Sequence, residues 1–152
     1  MECAAVRPNA IGALLTVWSM AAGCVDYEGS VDPAHGLPDV VVAMPQFRRD
    51  VLPIVERRCA IGGCHSVASR QAQLVLVADS AFEAIIDQPS RIVVGEVLVR
   101  PGDAANSWLA ILISDDVVRR KGVARMPLGS GALTPNQVAT ILNWINRGAP
   151  DD

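Results

Sequence analysis

Lysine is almost absent from this chain: of its 13 cationic residues only Lys121 is a lysine, and the rest are arginines. Aromatic residues are scarce at 4%, and histidine occurs only at positions 35 and 65. No internal repeat is evident, which excludes solenoid and propeller architectures. The net charge of −3 excludes a general nucleic-acid binder, which would need a basic surface. Residues 8–25 are an uncharged stretch of 18 residues, just short of the ~20 that span a bilayer as a helix. What is present is apolar: 51% of the 152 residues are hydrophobic, enough for one packed domain and too many for a disordered chain.

The uncharged stretch reads as an address. Arg7 precedes an apolar run, Ile11-Gly12-Ala13-Leu14-Leu15-Thr16-Val17-Trp18, and Ala21-Ala22-Gly23 leads to Cys24. A positive start, a short apolar run and small residues form an export signal. Small residues ending in a cysteine resemble the bacterial lipoprotein signal. That resemblance implies a signal peptide over 1–23 and acylation of Cys24, which anchors the mature chain to a membrane by lipid. An ordinary cleaved signal and an uncleaved anchor remain open. All three place the remaining chain outside the cytoplasm. Val25 is not the Asp that favours inner-membrane retention, so the outer membrane is favoured. Residues 24–45 carry Asp26, Glu28, Asp32 and Asp39 among Gly29, Pro33, Gly36 and Pro38, the composition of a tether.

From about residue 46 the pattern turns helical. Phe47, Val51, Ile54 and Val55 share one helix face, with Arg48, Arg49, Glu56, Arg57 and Arg58 assigned to the other. Pro53 predicts a kink or a fresh start. Ser80 and Glu83 have capping-box spacing for a helix to about 87. Asn106 or Ser107 caps a helix bearing Trp108, Leu109, Leu112 and Ile113. The last helix has Thr134 as N-cap, Pro135 at N1, Gln137 at N3, a stripe of Val138, Ile141, Leu142 and Ile145 flanked by Trp144, and Gly148 as its stop. Segments 73–77 and 92–99 are β-branched enough to predict short strands. The long segment 114–132, with Pro127 and three glycines, predicts a functional loop.

The chemistry concentrates in Cys59-Ala60-Ile61-Gly62-Gly63-Cys64-His65. A c-type haem is held by two thioethers, with a histidine directly after the second cysteine to reach the iron; its common motif is C-x-x-C-H. Here the gap is four residues, and Gly62-Gly63 gives the backbone freedom to bulge outward. An electron carrier needs a sixth ligand, and a thioether raises the potential. Met1 and Met20 lie in the signal and Met44 in the tether, which leaves Met126, stiffened by Pro127. Other readings stay open: a Cys59–Cys64 disulfide in a haem-free interaction module, a zinc site, or Met126 as an ordinary core residue that leaves an open distal site for peroxide or gas. Trp108 and Trp144 serve equally as porphyrin neighbours or as core aromatics. Arg57, Arg58, Arg119, Arg120, Lys121 and Arg125 read as a solvated face, or else as a dock for an acidic redox partner or as partners of haem propionates.

Taken together, Val51-Leu52-Pro53-Ile54 before Cys59, the Cys64-His65 pair, Pro101-Gly102-Asp103 with Ser107-Trp108-Leu109, Arg125-Met126-Pro127, and Asn143-Trp144-Ile145-Asn146-Arg147-Gly148-Ala149-Pro150 resemble a class I-type mono-haem cytochrome c domain. It is the kind found in exported planctomycete and myxobacterial proteins, and the resemblance spans about 47–150. It implies one haem c attached at Cys59 and Cys64, His65 as proximal and Met126 as distal iron ligand. It also implies an all-α wrap, with room for a short β-hairpin, in which the first and last helices cross beside the haem. The expected function is single-electron transfer with unidentified redox partner proteins, without enzymatic turnover.

Overall fold

Among the described residues, four short α-helices and one two-stranded ribbon supply most of the regular structure. The computed structural model describes residues 31–32, 35–78 and 80–152; the expected signal peptide and Cys24 lie outside them. In chain order come β1 (Val31–Asp32), β2 (Leu37–Pro38), a π-helical turn (Phe47–Val51) running into α1 (Leu52–Arg58), α2 (Ala81–Ile85), α3 (Trp108–Ile113) and α4 (Pro135–Asn146). Tight 3-10 turns lie at Gln71–Gln73 and Ala104–Asn106. The regular structure is therefore mostly helical. Among the described residues no helix is long and apolar enough to cross a membrane.

Pro53 explains the irregular start. It has no N–H, and its ring collides with the carbonyl four residues back in a regular helix. The preceding turn widens instead: the Val51 N–H bonds to the Gln46 carbonyl at 3.3 Å, and the Leu52 N–H bonds to that of Phe47. Regular α-helix begins at Leu52. Phe47, Val51, Ile54 and Val55 are all buried, as their spacing predicts.

The last helix forms as its local signals dictate. Thr134 Oγ1 accepts from the Gln137 N–H at 3.1 Å, and Gln137 Oε1 accepts from the Thr134 N–H at 3.2 Å. Such a cap is worth about 1 kcal/mol. At the other end Gly148, at φ +99°, lets its own N–H reach Ile145 and the Ala149 N–H reach Trp144, a Schellman closure. The buried face is rotated from the expected stripe. Trp144 is fully buried at its centre, beside Thr140, Ile141 and Ile145, while Val138 and Leu142 are half-buried. The Trp144 ring lies 5.1 Å from that of Phe47, which in turn meets Phe82 edge-on at 5.2 Å. The first and last helical segments thus pack on each other. Each fully buried Ile, Val or Phe here contributes about 1.5–3 kcal/mol.

Elsewhere the structure departs from expectation. Segments 73–77 and 92–99 form no strands; only the bridges Ile86–Val99 and Pro89–Val97 occur, because β-branched residues without a partner strand have no ladder to join. Among the described residues the hairpin is β1–β2, in the segment assigned to the tether. Ser80 precedes α2 but does not cap it; its hydroxyl donates to the Val77 carbonyl, and the helix stops at Ile85. Ser107 likewise precedes α3, yet its Oγ accepts from the Arg100 N–H and donates to the Asp103 carbonyl, both at 2.8 Å. Residues 39–43 run along α4: the Val42 N–H donates to Thr140 Oγ1 at 3.1 Å, and Asn143 and Asn136 donate to the carbonyls of Val42 and Asp39 at 2.9 Å. The expected boundary at 46 therefore falls inside an ordered segment, because the polar residues of α4 supply partners for the tether backbone.

Candidate functional site: the cysteine–histidine loop

Cys59 is the C-cap of α1, and the chain turns back on itself directly after it. The His65 N–H donates to the Cys59 carbonyl at 3.1 Å, and the Cys64 N–H donates to that of Ile61 at 3.0 Å. The two thiols and the imidazole thus sit on one closed loop. Gly62 and Gly63 are its exposed crest, Gly63 at φ +83°, with open space where a Cβ would stand on either, so the two extra residues bulge into solvent. Both cysteines are free thiols and half-buried. Burial pushes the Cys59 thiol up to about 12, against a weaker opposing pull from Arg58. Such a sulfur stays protonated at neutral pH. That disfavours a metal-bound or nucleophilic thiolate at Cys59.

His65 is oriented by backbone. Its Nδ1 lies 3.0 Å from the Gln71 carbonyl, which can only accept, so Nδ1 carries the proton and Nε2 keeps its lone pair when the ring is neutral. A metal-binding histidine has this arrangement, with the far nitrogen tied to a carbonyl. The Gln71 N–H in turn donates to the Cys64 carbonyl at 3.1 Å. Around Gln71 the backbone is strained: Arg70, Ala72 and Gln73 have φ of 46°, 54° and 58°, a region costly for residues with a Cβ. Strain persists where surroundings over-determine it, and here those surroundings are the two bonds that hold Cys64 and His65.

Met126 reaches the same core from the far end of the chain. Its N–H donates to the Leu112 carbonyl at 2.9 Å. Its half-buried side chain packs both on the main core, which Cys59 also touches, and on a smaller cluster of Trp108, Ile111 and Leu112. Met44 is 66% exposed. Arg125 donates to the Ile113 carbonyl at 3.2 Å and pairs with Asp115, so it fastens the loop to α3. His35 pairs with Asp32 in the hairpin. Among the described residues no three His, Cys, Asp or Glu side chains group to hold a metal ion, so the zinc reading finds no ligand set. Surface depressions of about 440 and 280 Å³ lie around Arg100–Lys121 and Leu37–Thr140, and none of Cys59, Cys64, His65 and Met126 lines either.

The two tryptophans play different parts. Trp144 Nε1 donates to the Pro150 carbonyl at 3.0 Å and is a satisfied core residue. Trp108 is equally buried, yet its Nε1 has no partner. An orphaned buried donor costs about 1–3 kcal/mol, and it calls for an acceptor that protein atoms do not supply. A haem propionate is such an acceptor. The sequence leaves Trp108 open as a porphyrin neighbour without singling out its Nε1–H, and it suggests a solvated face for Arg58, which is buried at 2% exposure. Residue spacing already carried the second signal, because Arg58 continues the Val51–Ile54 stripe at i+7 and i+4. No protein-family profile, curated protein or solved structure matches this chain.

Proposed function

We propose that the protein is an exported mono-haem c-type cytochrome that passes single electrons between partner proteins. The observation that carries this reading is the His65 ring, fixed by the Gln71 carbonyl with Nε2 available, on a loop closed between two free thiols. In this reading Cys59 and Cys64 would hold the haem covalently, and His65 Nε2 and the Met126 thioether would ligate its iron. The Trp108 Nε1–H would be available to a propionate. The bound iron supplies the chemistry, one-electron cycling between ferrous and ferric. The chain excludes water with its apolar core and tunes the potential through the axial sulfur. The contact between the π-helical turn and α4, made by Phe47 and Trp144, accords with a cytochrome c-like wrap. Cys24 is the proposed lipid attachment, placing the domain on the periplasmic side, with the outer membrane favoured.

The test is expression of the full chain together with haem-attachment machinery. A pyridine haemochrome spectrum and the mass of one added haem support the reading. Purified protein with no Soret absorption and no added mass ends it, leaving the haem-free interaction module. Carbon monoxide added to the ferrous form separates electron carrier from open distal site: an unchanged spectrum fits six-coordinate iron, and a shifted one fits an open site.

A further inference from the structure

The guanidinium of Arg58 joins four parts of the molecule. Nη1 donates to Asp32 Oδ2 of the hairpin at 2.7 Å and to Gln137 Oε1 of the α4 cap at 3.4 Å. Nη2 donates to three successive carbonyls, Ser130, Gly131 and Ala132, at 3.3, 3.1 and 2.9 Å. Gln137 Nε2 also donates to Asp32 Oδ2 at 3.2 Å, so hairpin and cap are tied to each other as well. A buried charge is tolerated only when paired and hydrogen-bonded, and the Asp32 carboxylate with these carbonyls serves both Nη atoms, leaving Nε without a partner.

The three carbonyls belong to the segment that follows Met126. Among the described residues, the hydrogen bonds on 126–132 backbone atoms come from two places: the Leu112 carbonyl at the Met126 end and Arg58 at the other. Arg58 is also one peptide from Cys59. It therefore fixes the Met126 segment directly to the helix that presents the first thiol. A planar fork can serve a carboxylate and a row of carbonyls at once, whereas a lysine ammonium is a point donor with three hydrogens.

We infer that Arg58 is a positioning residue for Met126: it clamps residues 130–132 onto the cysteine helix and so keeps the thioether on its iron. This inference rests on the haem reading above. It concerns the retention of the distal ligand and not the attachment of haem, which the thiols govern.

The experiment compares the full-length, haem-loaded wild type, Arg58→Lys, Asp32→Asn and Met126→Ala. Arg58→Lys is expected to keep one haem by haemochrome and mass. Its ferric sulfur-to-iron charge-transfer band should weaken. Its ferrous form should bind carbon monoxide with about tenfold higher apparent affinity than wild type, approaching Met126→Ala, because one head cannot replace the whole fork. Asp32→Asn, which weakens the carboxylate's hold on the Arg58 guanidinium, should shift both readouts the same way by less, and it decides the matter if Arg58→Lys fails to accumulate. A merely structural Arg58 would lower the melting temperature of both variants while leaving the charge-transfer band and carbon monoxide response at wild-type values, and that result overturns the inference. A colourless wild type would overturn the haem reading itself, a distinguishable outcome.

Discussion

The Nδ1–H of His65 points at the Gln71 carbonyl, 3.0 Å away, across a turn whose backbone is held in a left-handed conformation. The pairing selects one of two imidazole tautomers before any ligand arrives. In the haem-free chain, nitrogen NMR of the neutral ring should therefore show a protonated Nδ1 and an unprotonated Nε2. An Nε2–H tautomer would remove the main support for His65 as an iron ligand.

Ala72→Gly should stabilise the protein, although glycine usually costs about 0.5–1 kcal/mol in backbone entropy. At φ 54° the Cβ of Ala72 pays a left-handed penalty of about 1–2 kcal/mol, which glycine removes. The net expectation is a gain of about 0.5–1 kcal/mol in urea unfolding. A loss would show that Ala72 is not strained there.

Trp108→Phe should change sign with the state of the protein. Without haem, it deletes an orphaned buried donor and should be neutral or stabilising by up to about 1 kcal/mol despite the smaller ring. With haem bound, it deletes a bond to a propionate and should destabilise. Thermal melts of the two forms check this. Destabilisation of equal size in both would assign Trp108 to the core alone.

Acid should loosen the start of the first helical segment. Asp152 Oδ1 accepts from the Phe47 N–H at 3.0 Å, and its main-chain carbonyl accepts from that of Arg48 at 2.9 Å. Its hydrogen-bonded partner Arg147 holds the carboxyl below its ordinary 3.8, with burial opposing. A group with a lowered folded value contributes stability above its unfolded value and loses it as pH falls through the folded one. Stability should thus be flat near neutrality and fall below about pH 4, and Asp152→Asn should flatten that acid limb. An unchanged acid limb in the variant would assign the loss to other carboxylates.

What the sequence made legible was local. The α4 cap, its proline and its terminating glycine each act within a few residues, so Thr134, Pro135, Gln137 and Gly148 specify the helix whatever surrounds it. Pro53 acts locally too, and α1 starts beside it. Cys59, Cys64 and His65 were legible because adjacency alone places them on one loop. Arg58 was misplaced because its chemical type outweighed its position on the buried stripe, and its partners lie 26 to 79 residues away. Residues 92–99 failed as a strand for a related reason: propensity is local, but a ladder needs a neighbour. The seating of residues 39–43 on α4 depends on Thr140, Asn136 and Asn143, whose polar side chains looked like mere interruptions of an apolar stripe.

Gly62 and Gly63 stand clear of the fold, with open space where either Cβ would be, so the crest between the two cysteines carries no packing on its outer side. Chain length there is consequently uncoupled from the core: a residue added or lost at that crest would alter the separation of the two sulfurs along the backbone and leave the helices undisturbed.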